Sequence, residues 1–80
     1  MKVRFFGRLK EAIAPELEVD LPSGASIALL RERLIASYPG AAPILSSGRA
    51  RVCVGDTVVD DEHVPRPAEA VEFLPPVSGG

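Results

Sequence analysis

The sequence predicts an α+β fold in which one main helix packs on one face of a mixed sheet. Three observations predict it: short apolar runs alternating at period 2 towards both ends, one intervening segment with apolar residues at helical spacing, and turn residues between the segments. A length of 80 residues permits one domain, with a core near the small end of what folds without staples. No internal repeat or low-complexity block divides it.

Residues 3–7 read as the first strand, and the charges of Lys2 and Arg4 break so short an apolar run that neither a signal peptide nor a membrane span is expected. Residues 8–14 follow as a brief helical turn closed by Pro15. Leu17, Val19 and Leu21 alternate with Glu18 and Asp20, the pattern of a half-buried strand pairing back in a hairpin; Pro22-Ser23-Gly24 ends it. Ser26 is placed to cap the main helix, whose apolar stripe is Ile27, Leu30, Leu34 and Tyr38, with Arg31, Glu32 and Arg33 turned outward. Pro39-Gly40 stops that helix, and residues 41–48 form a loop or short turn. Arg51–Val54 and Thr57–Val59 read as strands joined across Gly55-Asp56, and residues 70–74 as the last strand. This order is the layout of a β-grasp: a domain over residues 1–74, then an extended tail over residues 75–80.

Neighbouring strand residues point to opposite faces, which sorts the two end strands. In the first strand Val3 and Phe5 lie opposite Lys2, Arg4 and Phe6, and in the last Val71 and Phe73 lie opposite Ala70, Glu72 and Leu74; Arg4 and Glu72 mark the wet side, so Phe6 and Leu74 are expected there too. If the end strands are neighbours, Phe6 and Leu74 form an apolar spot beside the root of the tail, suited to docking a partner.

The ending Pro75-Pro76-Val77-Ser78-Gly79-Gly80 is the candidate working part. Pro75 and Pro76 fix φ and favour an extended path, whereas Gly79 and Gly80 carry no Cβ and make a tip slim enough for a narrow partner active site. Extended, the six residues reach about 20 Å beyond the body, and the tip's reactive group is the Gly80 carboxylate. The body offers no nucleophile–base pair of its own.

Other features carry less. A net charge of -2 with scattered Lys and Arg gives no basic stripe, and three Phe, one Tyr and no Trp give no stacking platform, which argues against nucleic acid. The lone Cys53 excludes an internal disulfide framework, suits a reducing cytoplasm and reads as a structural thiol between Val52 and Val54. Asp60-Asp61-Glu62-His63 reads as a solvated turn, since adjacent residues cannot all converge on one ion; no metal is expected.

The final residues Val71-Glu72-Phe73-Leu74-Pro75-Pro76-Val77-Ser78-Gly79-Gly80 resemble the C-terminal signature of the molybdopterin synthase small subunits, sulfur carriers of the MoaD/ThiS family. The opening Lys2-Val3-Arg4-Phe5-Phe6-Gly7 is similar to the family's first strand, and length and element order agree across the chain. Two turns depart from the family: Val54-Gly55 where it often has Val-Asn, and Ala68-Glu69 where it has Gly-Asp.

The resemblance implies a ubiquitin-like β-grasp and a specific chemistry. An adenylyltransferase resembling ubiquitin-activating enzymes, using ATP and Mg²⁺, would adenylate the Gly80 carboxylate. Sulfur from a persulfide donor would then give a C-terminal thiocarboxylate, a 1-thioglycine. The loaded tail would enter the large catalytic subunit, in a heterotetramer, and pass sulfur to cyclic pyranopterin monophosphate to build the molybdopterin dithiolene. Catalytic side chains would sit on that partner, and this chain would bind no cofactor itself. Gly80 and Gly79 would be the reacting tip; Phe6, Lys10, Val58, Leu74, Pro75, Pro76, Val77 and Ser78 would contact partners. Three other readings stand beside this one: a carrier serving thiazole or cysteine formation, a ubiquitin-like modifier joined to lysines through Gly80, and a β-grasp binding module with an inert tail.

Overall fold

The structure, a computed structural model, describes residues 1–46 and 50–75. Alternation builds the centre of the sheet: in β1 (Lys2–Phe5) and β5 (Val71–Leu74), Val3, Phe5, Val71 and Phe73 are buried while Lys2 and Arg4 lie on the open side. β1 pairs antiparallel with β2 (Glu16–Glu18) and parallel with β5. β5 pairs antiparallel with β3 (Arg51–Val54), and β3 with β4 (Thr57–Val59), so the sheet order is β2-β1-β5-β3-β4. The end strands are therefore neighbours, in register Val3 with Val71 and Phe5 with Phe73.

One face of this sheet is covered. Helix α2 (Ile27–Ser37) buries Ile27, Leu30 and Leu34, and the Ser26 hydroxyl accepts from the Leu29 N–H at 3.4 Å, the cap its position predicts. The carbonyls of Asp61 and His63 accept from the N–H groups of Ala28 and Ile27, so the loop after β4 satisfies two more donors of the first turn. Helix α1 (Arg8–Ala12) adds Leu9, and helix α3 (Ala42–Ser46), entered through a 3₁₀ turn at Pro39–Ala41, adds Leu45. At the centre the Phe5 and Phe73 rings lie 5.7 Å apart and 19° from parallel.

Three expectations change. Alternation of apolar residues suggests a strand over 17–21, but β2 is Glu16–Glu18; the Asp20 carbonyl accepts from Arg33 Nη1 of α2, tying that segment to the helix instead. Part of the stretch read as loop or short turn is helical, because burying Leu45 organises α3. Arg31 does not turn outward. Its side chain is 12% exposed, Nη2 donates to Asp61 Oδ1 at 2.8 Å, Nη1 donates to the Leu45 carbonyl, and the guanidinium lies 5.8 Å from the Phe73 ring centroid.

The two turns that depart from the family pattern have local explanations. Gly55 takes φ +63 as the first residue of the two-residue hairpin between β3 and β4, where a side chain is disfavoured. Before β5, the Glu69 N–H donates to the Arg66 carbonyl and the Glu69 carboxylate accepts from the Arg66 N–H at 2.8 Å, so Glu69 closes its turn with its own side chain.

Candidate functional site

The candidate site grows from the parallel pairing of β1 and β5. Both strands run towards the same end of the sheet, where β5 hands over to Pro75 and β1 to Gly7. The Phe6 N–H donates to the Phe73 carbonyl at 3.2 Å, carrying the ladder one step past β1. Continuing the register puts Phe6 opposite Leu74, both on the open face. Phe6 is 39% exposed and Leu74 half-buried, so the apolar spot expected from alternation is present, with Phe6 its more prominent member.

Around it the open face is mixed. Arg51 of β3 lies opposite Leu74 and is exposed. One step along, register aligns Glu16, Arg4, Glu72, Cys53 and Val58 in a row across all five strands. Arg4 Nε meets Glu16 Oε1 at 3.2 Å, and Lys2 Nζ reaches Glu16 Oε2 at 3.9 Å. All three side chains are about half exposed, so these pairs shape the face more than they stabilise it. Cys53 is half-buried on this open face, not in the core with Val52 and Val54.

The structure thus gathers some expected site residues and separates others. Phe6, Leu74 and Pro75 meet at one end of the sheet, and exposed Lys10 lies on α1 directly after Gly7. Val58, 59% exposed on β4, shares the open face but sits three strand spacings from β1, about 14 Å away. Pro76, Val77, Ser78, Gly79 and Gly80 lie outside the described residues. The Asp60 to His63 turn is organised by the Asp60 carboxylate, which accepts from the N–H groups of Glu62 and His63. Among the described residues no group of three or more His, Cys, Asp or Glu is placed to hold a metal ion, and no helix is long and apolar enough to cross a membrane.

Sequence reasoning missed Gly7. It adopts φ +58 and ψ -133, a region closed to residues with a Cβ except at a cost of about 1–3 kcal/mol, and Pro75 packs where that Cβ would be. A glycine wedged between a strand and a helix was the available signal; its partner, far along the chain, was not.

Known proteins resemble this chain in sequence and in fold. The "Molybdopterin synthase sulfur carrier subunit" of Escherichia coli (strain K12) is 31% identical over 83 residues, spanning 100% of this chain and 99% of the relative. Among solved structures, a putative molybdopterin converting factor, subunit 1, from Pyrococcus furiosus superposes with a TM-score of 0.82 at 23% identity, covering 95% of both chains. SAMP1 of Haloferax volcanii, a small archaeal modifier protein, also gives 0.82, at 19% identity over 99% of this chain and 97% of its own. A chain in the complex of subunits 1 and 2 of the molybdopterin-converting factor of Helicobacter pylori gives 0.67, at 22% identity over 99% of this chain and 96% of that one. These structural likenesses establish the ubiquitin-like fold. Because a model of the ThiS family matches residues 3–80 and the curated relative aligns from end to end, the chain belongs to the ThiS family.

Proposed function

We propose that this chain is the sulfur-carrier subunit of a molybdopterin synthase. The observation that carries the reading is the conjunction, in a ThiS family chain, of an apolar spot at Phe6 and Leu74 with a strand end that passes through Pro75 towards a diglycine at positions 79 and 80. Residues 1–74 would be the body and residues 75–80 the working segment.

A carboxylate is a poor acyl donor, so activation comes first. On this reading an adenylyltransferase joins the Gly80 carboxylate to AMP and releases pyrophosphate; Mg²⁺ and positive charge on that enzyme neutralise the phosphates. The terminal sulfur of a persulfide donor then displaces AMP to give an acyl disulfide, and a second thiol, acting as reductant, cleaves its S–S bond, releasing the Gly80 thiocarboxylate and leaving the two thiol sulfurs joined as a disulfide. In the large subunit the thiocarboxylate sulfur bonds to a carbon of cyclic pyranopterin monophosphate, and water then cleaves the acyl–sulfur bond, leaving the sulfur on the substrate and regenerating the Gly80 carboxylate for another round. Two deliveries complete the dithiolene. This chain's residues bind and aim: Phe6, Leu74, Lys10 and Val58 would dock the body, Pro75, Pro76, Val77 and Ser78 would line the path, and Gly79 would let the tip pass. Tethering supplies proximity, which is worth several kcal/mol of a bimolecular barrier. The Helicobacter pylori pair of subunits 1 and 2 supports a large-subunit partner of this kind. The ATP-dependent loading would take place in the cytoplasm.

The test is intact mass after incubation with host extract, ATP and a sulfur source. Replacement of one oxygen by sulfur, confined to the Gly79-Gly80 peptide, supports the carrier. No gain in an extract that loads another carrier counts against it. The likeness to SAMP1 favours one second reading, a protein modifier, which predicts instead conjugates linked from Gly80 to lysines of other proteins.

A further inference from the structure

Three glycines of the described chain have positive φ, and they differ in what surrounds them. A Cβ at Gly24 or Gly55 would meet nothing within 4 Å. At Gly7 it would lie 2.6 Å from Cγ of Pro75, 3.4 Å from its Cβ and 3.5 Å from its Cδ. The turn from β1 into α1 explains the positive φ at position 7, but it does not explain why a proline from the other end of the chain fills the space beside it.

That contact falls where the sheet stops guiding the chain. Up to Leu74, β5 is held by ladders on both sides, to β1 and to β3. Pro75 has no N–H to offer a further rung, so hydrogen bonding does not set its direction. Its ring, seated on the bare α-carbon of Gly7, does. With φ already fixed by the ring, the seat leaves little freedom in how the chain departs from the strand end.

We infer that Gly7 is a positioning residue for the tail: the missing side chain seats Pro75, and the seat sets the direction in which the chain leaves the sheet. The inference rests on the carrier reading, since direction matters only if the tail must enter a partner. It concerns delivery, not docking. Gly7 touches no reacting atom; it acts through Pro75.

The experiment uses the full chain prepared directly as a thiocarboxylate, by sulfide cleavage of an intein fusion, so that activation is bypassed. Single-turnover sulfur transfer to cyclic pyranopterin monophosphate is measured at saturating large subunit, with Kd and Tm measured separately, for the unsubstituted chain, Gly7→Ala, Pro75→Ala and the double variant. Gly7→Ala is expected to slow transfer about 10-fold or more, with Kd within about 3-fold, because small misplacements of a reacting group are costly in rate. Pro75→Ala, which removes the seat's occupant, is expected to slow transfer several-fold with Tm almost unchanged. The double variant should transfer no more slowly than Pro75→Ala alone while keeping the lowered Tm of Gly7→Ala, a non-additivity that a purely structural glycine would not produce. Transfer by Gly7→Ala within about 2-fold of the unsubstituted rate, or a double variant as slow as Gly7→Ala, overturns the inference. If Gly7→Ala does not fold, Pro75→Ala and the unsubstituted chain decide. An undiminished rate for the former, or no nuclear Overhauser contact between Gly7 Hα and Pro75 Hγ in the latter, overturns it equally. If the unsubstituted thiocarboxylate transfers nothing, the carrier reading fails, and the Overhauser contact still tests the seat.

Discussion

Replacing Arg31 by methionine should destabilise the protein by about 2 kcal/mol, far more than a helix-surface arginine normally contributes. The figure follows from its contacts. The charged hydrogen bond to the Leu45 carbonyl is worth about 1.5–3 kcal/mol, since its loss strands an acceptor at the end of α3. The guanidinium beside the Phe73 ring adds about 0.5–1 kcal/mol. Asp61 is 51% exposed, so its pair with Arg31 adds no more than about 0.5 kcal/mol. Against these stands Arg31 Nε, buried without a partner among the described residues, whose removal returns about 1 kcal/mol. Methionine keeps the apolar stem, which confines the change to the charged head. In urea denaturation the midpoint should fall by about 1.5 M, and Tm by about 10 °C, for a domain of this size. Glu32→Ala, at an exposed position next in the helix, should change stability by less than about 0.5 kcal/mol. An Arg31→Met midpoint indistinguishable from that of Glu32→Ala would refute the reasoning, and with it the claim that Arg31 braces the underside of β5.

Other expectations concern the open face, the tip and the cap. Phe6→Glu should weaken binding to the large subunit at least about 10-fold in calorimetric titration while leaving Tm nearly unchanged, because Phe6 is exposed but sits where a hydrophobic contact would be central. Val58→Lys should cost less, about 3-fold, as a position nearer the rim; a larger loss than for Phe6→Glu would move the centre of the interface towards β4. Gly79→Val or Gly80→Val should abolish thiocarboxylate formation with melting curves unaltered, and unfolding of either variant would contradict a tip that works apart from the body. Ser26→Ala should cost about 1 kcal/mol by chemical denaturation, through loss of the bond to the Leu29 N–H.

Local pattern made much of this legible. Alternation of Val3 and Phe5 with Lys2 and Arg4, and of Val71 and Phe73 with Glu72, assigned the faces of the two central strands, and from them the placement of Phe6 and Leu74. Ser26 announced α2 because capping is a property of four consecutive residues and their backbone. What could not be read depends on contacts distant in sequence. Arg31 lies on the flank of the helical stripe, and only the arrival of Leu45 and Asp61 turns that flank into an interior. Leu21 keeps the period of a strand, yet the Asp20 carbonyl is taken by Arg33. The candidate site shows the same division. Its tip and apolar spot are visible as composition and alternation, whereas the approach of Pro75 to Gly7 joins the two ends of the chain and exists only once the sheet is assembled.

The parallel alignment of β1 with β5 has a mechanical meaning. A carrier whose tail is gripped by one partner while its body is held by another is under tension along β5. That strand lies between β1 and β3, bonded on both edges, so a pull along its axis meets bonds on both sides. Bonds perpendicular to such a pull are loaded together, in shear, so none can fail first and start an unzipping. Were the tail attached instead to an edge strand bent back on itself, like β2 or β4, the same force would peel one rung at a time. On the carrier reading, a pull transmitted along β5 would therefore not peel that strand from the sheet.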